Sequence, residues 1–205
     1  MADPVVRELR ESDVRECADL HVRSFPGFFL SQLGPRFLQE FYRGFLGDPS
    51  AITAVARTPD GALLGAVVGS TQPAGFFSRL LRRRLLGFMV ASVVAVLRRP
   101  TAAPRLLKAV LYRGQVPIEV EGALLSSICV EPASQATGTG SRLISRFREA
   151  AHAAGMGAYL VTDRDDNEAA NAFYCRNGWQ LAGQYETPEG RRMNCYVLPG
   201  PGEDA

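Results

Sequence analysis

The sequence is poor in the groups that announce metal or disulfide chemistry. Its 205 residues hold two histidines, His21 and His152, and four cysteines, Cys17, Cys129, Cys175 and Cys195. No two cysteines form a Cys-x-x-Cys pair and no histidine stands at ligand spacing from them, so free thiols and no metal are expected. The charge-free stretch LLGFMVASVVAVL (85–97) falls short of the roughly twenty apolar residues that span a bilayer, and reads as a core or interfacial helix. The opening MADPVVRELRE lacks the basic-then-apolar order of a signal peptide, which leads to the expectation of a cytoplasmic protein. There is no internal repeat. Acidic residues are missing altogether between Asp60 and Glu119, where nine of the 23 basic residues fall; that segment is +9 and the remainder −7.

With 46% hydrophobic and 21% charged residues, the chain has the material for one globular domain. A short strand at 5–9 is followed by a helix after Ser12, with Val14, Cys17, Ala18 and Val22 at helical spacing. A second helix opens near Pro35 and carries Phe37, Leu38, Phe41, Tyr42 and Phe45 on one stripe. Two apolar runs, 51–57 and 62–70, flank the turn TPDG and read as a hairpin. The region 73–117 is helical, in two pieces broken by RPTAAP. A strand over 119–130, a glycine loop, a helix to about residue 154, a strand at 158–162 and a short helix over 165–178 follow. The closing hairpin pairs WQLAGQYET with RRMNCYVLP. The expected class is an α/β domain over 1–198, with a mixed sheet, an inserted helical pair at 73–117 and a disordered tail over 199–205.

The loop EPASQATGTGSRLI (131–144) carries the chemistry. A strand ending at Val130 and an immediate helix start would aim several backbone N–H groups and the positive end of a helix dipole at one point, which suits phosphate. Gly138 and Gly140 would let the ligand approach closely and accept positive φ angles. A Walker loop fails, because Ser141 and Arg142 stand where Lys-Ser/Thr is required. A dinucleotide fingerprint fails too, with Leu143 in the place of its third glycine.

What remains is Gln-x-x-Gly-x-Gly, here Gln135-Ala136-Thr137-Gly138-Thr139-Gly140. On this loop, the preceding LLSSICVEP and the later NEAANAFYCRNGW (167–179), the chain resembles the GNAT superfamily of acetyl-CoA-dependent N-acyltransferases. The resemblance is good over 119–198, fair over 5–70 and poor over the insertion. It implies a single, mostly antiparallel sheet whose central strands splay apart, with acetyl-CoA as co-substrate. It implies that main-chain groups of Ile128 and Val130 pair with the pantetheine arm, that amides from Gln135 to Ser141 hold the pyrophosphate, and that Asn171 reaches the pantetheine amide. It also implies that Tyr174 donates a proton to the departing thiolate. Tyr174 lies three residues after Asn171, on the same helical face, with Ala170 and Phe173 expected against the sheet instead.

The general base is less determined. Leu124 and Leu125 occupy the places where the family often carries a glutamate, and Glu121 is the nearest carboxylate. Its parity groups it with Ser127 and Cys129 unless a bulge intervenes; Glu131, Asp163 and ordered water are the alternatives. Phe25, Phe28, Phe29 and Tyr42 are candidates for the acceptor side. Several phrases resemble GNAT proteins of polysaccharide and surface-glycan assembly, which implies a small amine acceptor, an amino sugar on a nucleotide or lipid phosphate that the arginines of the insertion could bind. Peripheral membrane contact through 79–113 and a homodimer stay open, and nucleic acid is not expected as a partner. A protein N-terminal or lysine acetyltransferase and a non-catalytic CoA-binding module are the rival readings.

Overall fold

In the computed structural model, residues 3–98, 118–165 and 167–202 are described, leaving aside the side chains of Phe29 and Arg98. The strands are β1 (Val5–Arg7), β2 (Ala51–Arg57), β3 (Leu63–Ser70), β4 (Ala123–Val130), β5 (Ala158–Asp163), β6 (Gln180–Glu186) and β7 (Arg192–Leu198). The helices are α1 (Val14–Ser24), α2 (Phe29–Gln32), α3 (Pro35–Arg43), α4 (Phe76–Arg83), α5 (Leu85–Arg98), α6 (Thr139–Ala153) and α7 (Glu168–Arg176). One sheet runs in the order β1-β2-β3-β4-β5-β7-β6, antiparallel except where β4 meets β5. This is the single α/β domain expected, with its diverging central strands and its helical insertion between β3 and β4.

Both faces of the sheet are covered, so β2 and β3 are buried along most of their length. On one face, Leu20, Leu38, Tyr42, Phe45 and Phe76 pack against Val55, Ala66, Val68 and Cys129. On the other, Leu143, Ile144 and Phe147 of α6 pack against Ile52, Ala54, Val67, Leu125 and Leu160. The spacing that predicts α3 is the spacing that buries it: Pro35 opens the helix, and Phe37, Leu38, Phe41 and Tyr42 all lie inward.

β4 belongs to both cores because it changes parity. Opposite β3 the register steps from Val68↔Ser127 to Gly69↔Leu125, leaving Ser126 unopposed in a bulge. Ala123 and Leu125 therefore join the α6 face, as do Ile128 and Val130 beyond the bulge, while Cys129 turns toward α1 and α3. The strand is shorter than the 119–130 expected, beginning at Ala123 after Gly122, which takes a φ of 121°.

The insertion departs from expectation in one respect. Its described part breaks at Arg84, whose φ of −112° separates α4 from α5, whereas RPTAAP lies outside the described residues. Phe88, Ala91 and Ala95 face the core, with Phe88 4.9 Å from Phe37, but Leu86, Met89, Val90, Val93 and Leu97 are exposed. Among the described residues no helix is long and apolar enough to cross a membrane. The arginines here are not a free cationic field: Arg83 pairs with Asp48 at 3.0 Å and Arg84 with Glu40 at 2.7 Å. The start of the expected tail is packed as well. Pro199 O lies 3.1 Å from His152 Nε2, and Gly200 is buried; residues 203–205 lie outside the described residues.

Candidate active site

β4 and β5 are parallel neighbours for two registers only, Ala123↔Ala158 and Leu124↔Tyr159. Beyond them each strand stays with its other partner, β4 with β3 to Gly65↔Val130 and β5 with β7 to Asp163↔Met193. The bulge at Ser126 sits where the two part, and a bulge adds twist. The result is a wedge between Leu125–Ile128 and Leu160–Asp163, continuous with a cleft of about 730 Å³ under α1 and α2.

Backbone alternation decides what the wedge offers. Glu131 N–H donates to Leu64 O on β3 at 2.8 Å, so the N–H groups of Val130 and Ile128 point the other way, into the gap. Ser24 Oγ, 3.2 Å from Val130 O, and the Arg23–Glu131 ion pair at 2.7 Å clasp the end of α1 to the end of β4. Glu131 is engaged there, as Asp163 is with Arg191 at 2.7 Å.

At the mouth, the chain turns through a 3-10 turn at Pro132–Ser134 into the N-terminus of α6. Ala136 has a φ of 62° and Gly138 a φ of 87°. Left-handed positions at both residues turn successive amides toward one side, the geometry of an anion nest. The first backbone donor of the helix is Arg142, to Gly138 O, and the amides from Ala136 to Ser141 have no acceptor among the described residues. Thr137 Oγ1 donates to Ser134 O at 2.7 Å and lies 3.1 Å from Thr139 Oγ1, bracing the turn from inside. Gln135 is exposed, and its own amide goes to Pro132 O. The two glycines differ: a Cβ at Gly138 would meet open space, whereas one at Gly140 would come within 3.0 Å of the Phe173 ring. Gly140 is thus first a contact between α6 and α7, where the sequence suggests only room for phosphate.

Tyr174 lines the cleft from α7. Its ring is 8% exposed and packs edge-on to Trp179 at 6.1 Å, and its hydroxyl has no hydrogen-bond partner among the described residues. Burial raises the phenol pKa above its usual 10. Ala170 and Phe173 are half-buried against the sheet core, as the sequence suggests, and Tyr174 is buried more deeply beside Trp179 and Tyr196.

Asn171 does not line the cleft. Its amide donates to Asp163 O and Asn167 O, both at 2.8 Å, and its carbonyl accepts from Asn194 Nδ2 at 2.8 Å and Tyr196 OH at 3.0 Å. It ties α7 to β5 and β7. Reaching a ligand would require it to give up one of these bonds. Glu121 lies apart as well; it is exposed, precedes β4, and stands at the opposite end of the strand from Val130. It came into consideration as the nearest carboxylate; the bulge alone would turn it toward the face of Ile128 and Val130, but β4 begins only at Ala123, after Gly122 with its φ of 121°, so strand parity does not reach it.

Residues 106–181 match the family model for the acetyltransferase (GNAT) domain. The match spans β4, the turn after it, α6, β5 and α7. Among curated proteins none matches the sequence significantly. Among solved structures, the chain resembles the ribosomal-protein-S18-alanine N-acetyltransferase of Escherichia coli, with 16% identity and a TM-score of 0.56 over 98% of both chains. It resembles a putative GNAT-family acetyltransferase from Desulfovibrio desulfuricans at 15% identity and a TM-score of 0.62, covering 96% of this chain and 98% of that one. An aminoglycoside 6'-acetyltransferase type Ii aligns at 16% identity and a TM-score of 0.60, covering 95% and 96%. These likenesses establish the fold, and the enzyme class that accompanies the GNAT domain is N-acetyltransfer.

Sequence reasoning missed His21, which lines the cleft from α1. It is 2% exposed, with Nδ1 3.1 Å from the Tyr42 hydroxyl, and burial lowers its pKa to about 4. Its helical spacing after Cys17 and Ala18 was the available signal. Phe25 and Phe28 also line the cleft, as the sequence suggests; Tyr42 lies behind His21 in the core. Among the described residues no cluster of His, Cys, Asp or Glu is arranged to hold a metal.

Proposed function

We propose that the chain transfers an acetyl group directly from acetyl-CoA to the primary amine of a small acceptor. The observation that carries this reading is the wedge between β4 and β5. Two parallel strands part after two registers, and the N–H groups of Ile128 and Val130 face a gap that an extended amide-bearing arm can enter as an extra strand. The amides from Ala136 to Ser141, with the dipole of α6 behind them, supply the donors a diphosphate needs at the mouth.

On the same strand edge, the amide of Val130 or its neighbour stabilises negative charge on the acetyl oxygen as the amine adds to the carbonyl carbon. The carbon–sulfur bond then breaks, and Tyr174 gives its phenolic proton to the leaving sulfur; the proton released by the amine passes to solvent and restores the phenol. Since burial raises its pKa, Tyr174 holds that proton throughout the neutral range. Gln135 contributes through its main chain at the entrance, and Asn171 acts by fixing α7 against β5. Glu121, outside the cleft, has no part in this scheme.

For the acceptor, we favour an amino sugar of glycan assembly. Phe25 and Phe28 offer aromatic faces to a sugar ring, and the likeness in fold to an aminoglycoside 6'-acetyltransferase supports this reading. The described arginines of the insertion do not line the cleft, so a phosphate on the acceptor gains no support from them. Calorimetry with CoA, followed by a thiol-release screen over amino sugars, peptides and polyamines, tests the proposal. CoA binding with turnover of an amino sugar is expected; turnover confined to peptides would move the acceptor to proteins, and CoA binding without any turnover would leave a binding module.

A further inference from the structure

Few buried side-chain nitrogens and oxygens among the described residues lack a hydrogen-bond partner, and two of them, His21 Nε2 and Ser126 Oγ, belong to residues lining this one cleft. They come from different elements for different reasons. His21 projects from α1, held by Tyr42 at Nδ1 and by the edge of Phe25 at 5.0 Å. Ser126 is the bulged residue of β4. An unpaired buried polar group costs about 1–3 kcal/mol, and native structures keep few of them. Two beside the same cleft as Tyr174 indicate a ligand that brings its own donors.

The chemistry of His21 says which kind. Burial keeps the imidazole neutral at pH 7. Tyr42 OH lies between His21 Nδ1 at 3.1 Å and Cys129 Sγ at 3.5 Å. The tautomer in which Nδ1–H donates to the tyrosine oxygen, and the tyrosine to sulfur, leaves the Nε2 lone pair unpaired. A neutral primary amine has two hydrogens and one lone pair.

We infer that His21 Nε2 and Ser126 Oγ bind the acceptor's amino group, each accepting one N–H, so that the nitrogen lone pair is left for the acetyl carbon. This rests on the transfer reading above and adds the residues that present the nucleophile. It also narrows the acceptor. The charged residues of the cleft lining are Asp163 and Arg191, which pair with each other. An acceptor with one amine on an uncharged body fits such a lining; a polyamine, whose further ammonium groups call for carboxylates of their own, does not.

The two histidines make the test direct, because long-range proton–nitrogen NMR spectra of the whole chain contain only two imidazoles. With CoA bound, titration with glucosamine or benzylamine is expected to move the His21 Nε2 resonance while His152 stays fixed, and to find His21 protonated at Nδ1. In steady-state kinetics, His21→Ala and Ser126→Ala each raise KM for the amine about tenfold, the effect of one lost hydrogen bond, and leave KM for acetyl-CoA unchanged. His21→Gln, whose carbonyl can accept, recovers part of the loss, and spermidine is a poorer substrate than either monoamine. If CoA shifts the amides from Ala136 to Ser141 and turnover occurs, but His21 is unmoved by saturating monoamine, the inference falls and the transfer reading stands. Preference for spermidine, or unchanged KM in both alanine variants, overturns it equally. If CoA leaves those amides unshifted and no amine is acetylated, both fall.

Discussion

Tyr174 and Gly138 test different halves of the chemistry. Removing the Tyr174 hydroxyl as Tyr174→Phe leaves the ring's packing on Trp179 in place, so acetyl-CoA affinity should persist while turnover drops by about 10²–10⁴, the usual worth of a positioned acid. Calorimetry and steady-state rates on the same preparation check this; unchanged turnover would take Tyr174 out of the mechanism. Gly138→Val does the reverse. The added Cβ meets no protein atom, but at a φ of 87° a branched side chain costs about 1–2 kcal/mol and stands in the nest. A protein that melts a few degrees lower and no longer binds CoA is expected, and normal CoA binding would refute the placement of the diphosphate. The Gln-x-x-Gly-x-Gly loop was readable because the backbone conformation it needs demands particular residues. His21 was not, since one helical position in a stripe reads as core until Tyr42 and Ser126 are seen around it.

Elements are where the sequence was most and least informative. The β2–β3 turn, the Pro35 start of α3 and the α6 stripe follow from local patterns, so each lies where its residues place it. The bulge at Ser126 and the parting of β4 from β5 depend on contacts far apart in the chain, which no window of residues contains, so the distance of Glu121 from the wedge could not be read from the sequence. The burial of Tyr174 has the same origin, because it packs on Trp179 and Tyr196. Asn171 locks α7. Asn171→Ala removes its bonds to Asp163 O, Asn167 O, Asn194 Nδ2 and Tyr196 OH, so a loss of about 2–3 kcal/mol is expected. Urea unfolding measures it, and a change below about 0.5 kcal/mol would show that α7 is held by its aromatic packing alone.

At the scale of the whole molecule, burial of charge sets the response to acid. His21 titrates at about 4 when folded against 6.5 when free, so the unfolded chain takes up this proton first as pH falls. Its contribution is complete above pH 6.5 and is lost between 6.5 and 4, about 3 kcal/mol at about 1.4 kcal/mol per unit. Asp13 extends the loss below that. Burial alone would raise its pKa, but hydrogen bonds from Arg7, the Arg10 amide and Arg57 lower it from 3.8 to about 2. Denaturant melts from pH 7.5 to 4 should show stability falling in the first window in the native chain and less so in His21→Gln; a flat profile would mean that the imidazole is not buried neutral. The +9 segment looked from sequence like one cationic surface, yet its described arginines largely serve Asp48 and Glu40, pairings that charge counting along the chain cannot foresee.

The central claim is that main-chain donors at the β4–α6 turn and along the open edge of β4 hold acetyl-CoA with its sulfur beside Tyr174. A crystal structure of the chain with CoA measures this directly. The account predicts pyrophosphate oxygens within hydrogen-bonding distance of amides between Ala136 and Ser141, the pantetheine paired with Ile128 and Val130, and the thiol next to the Tyr174 hydroxyl. CoA bound elsewhere, with β4 and β5 zipped together below an empty turn, would contradict it.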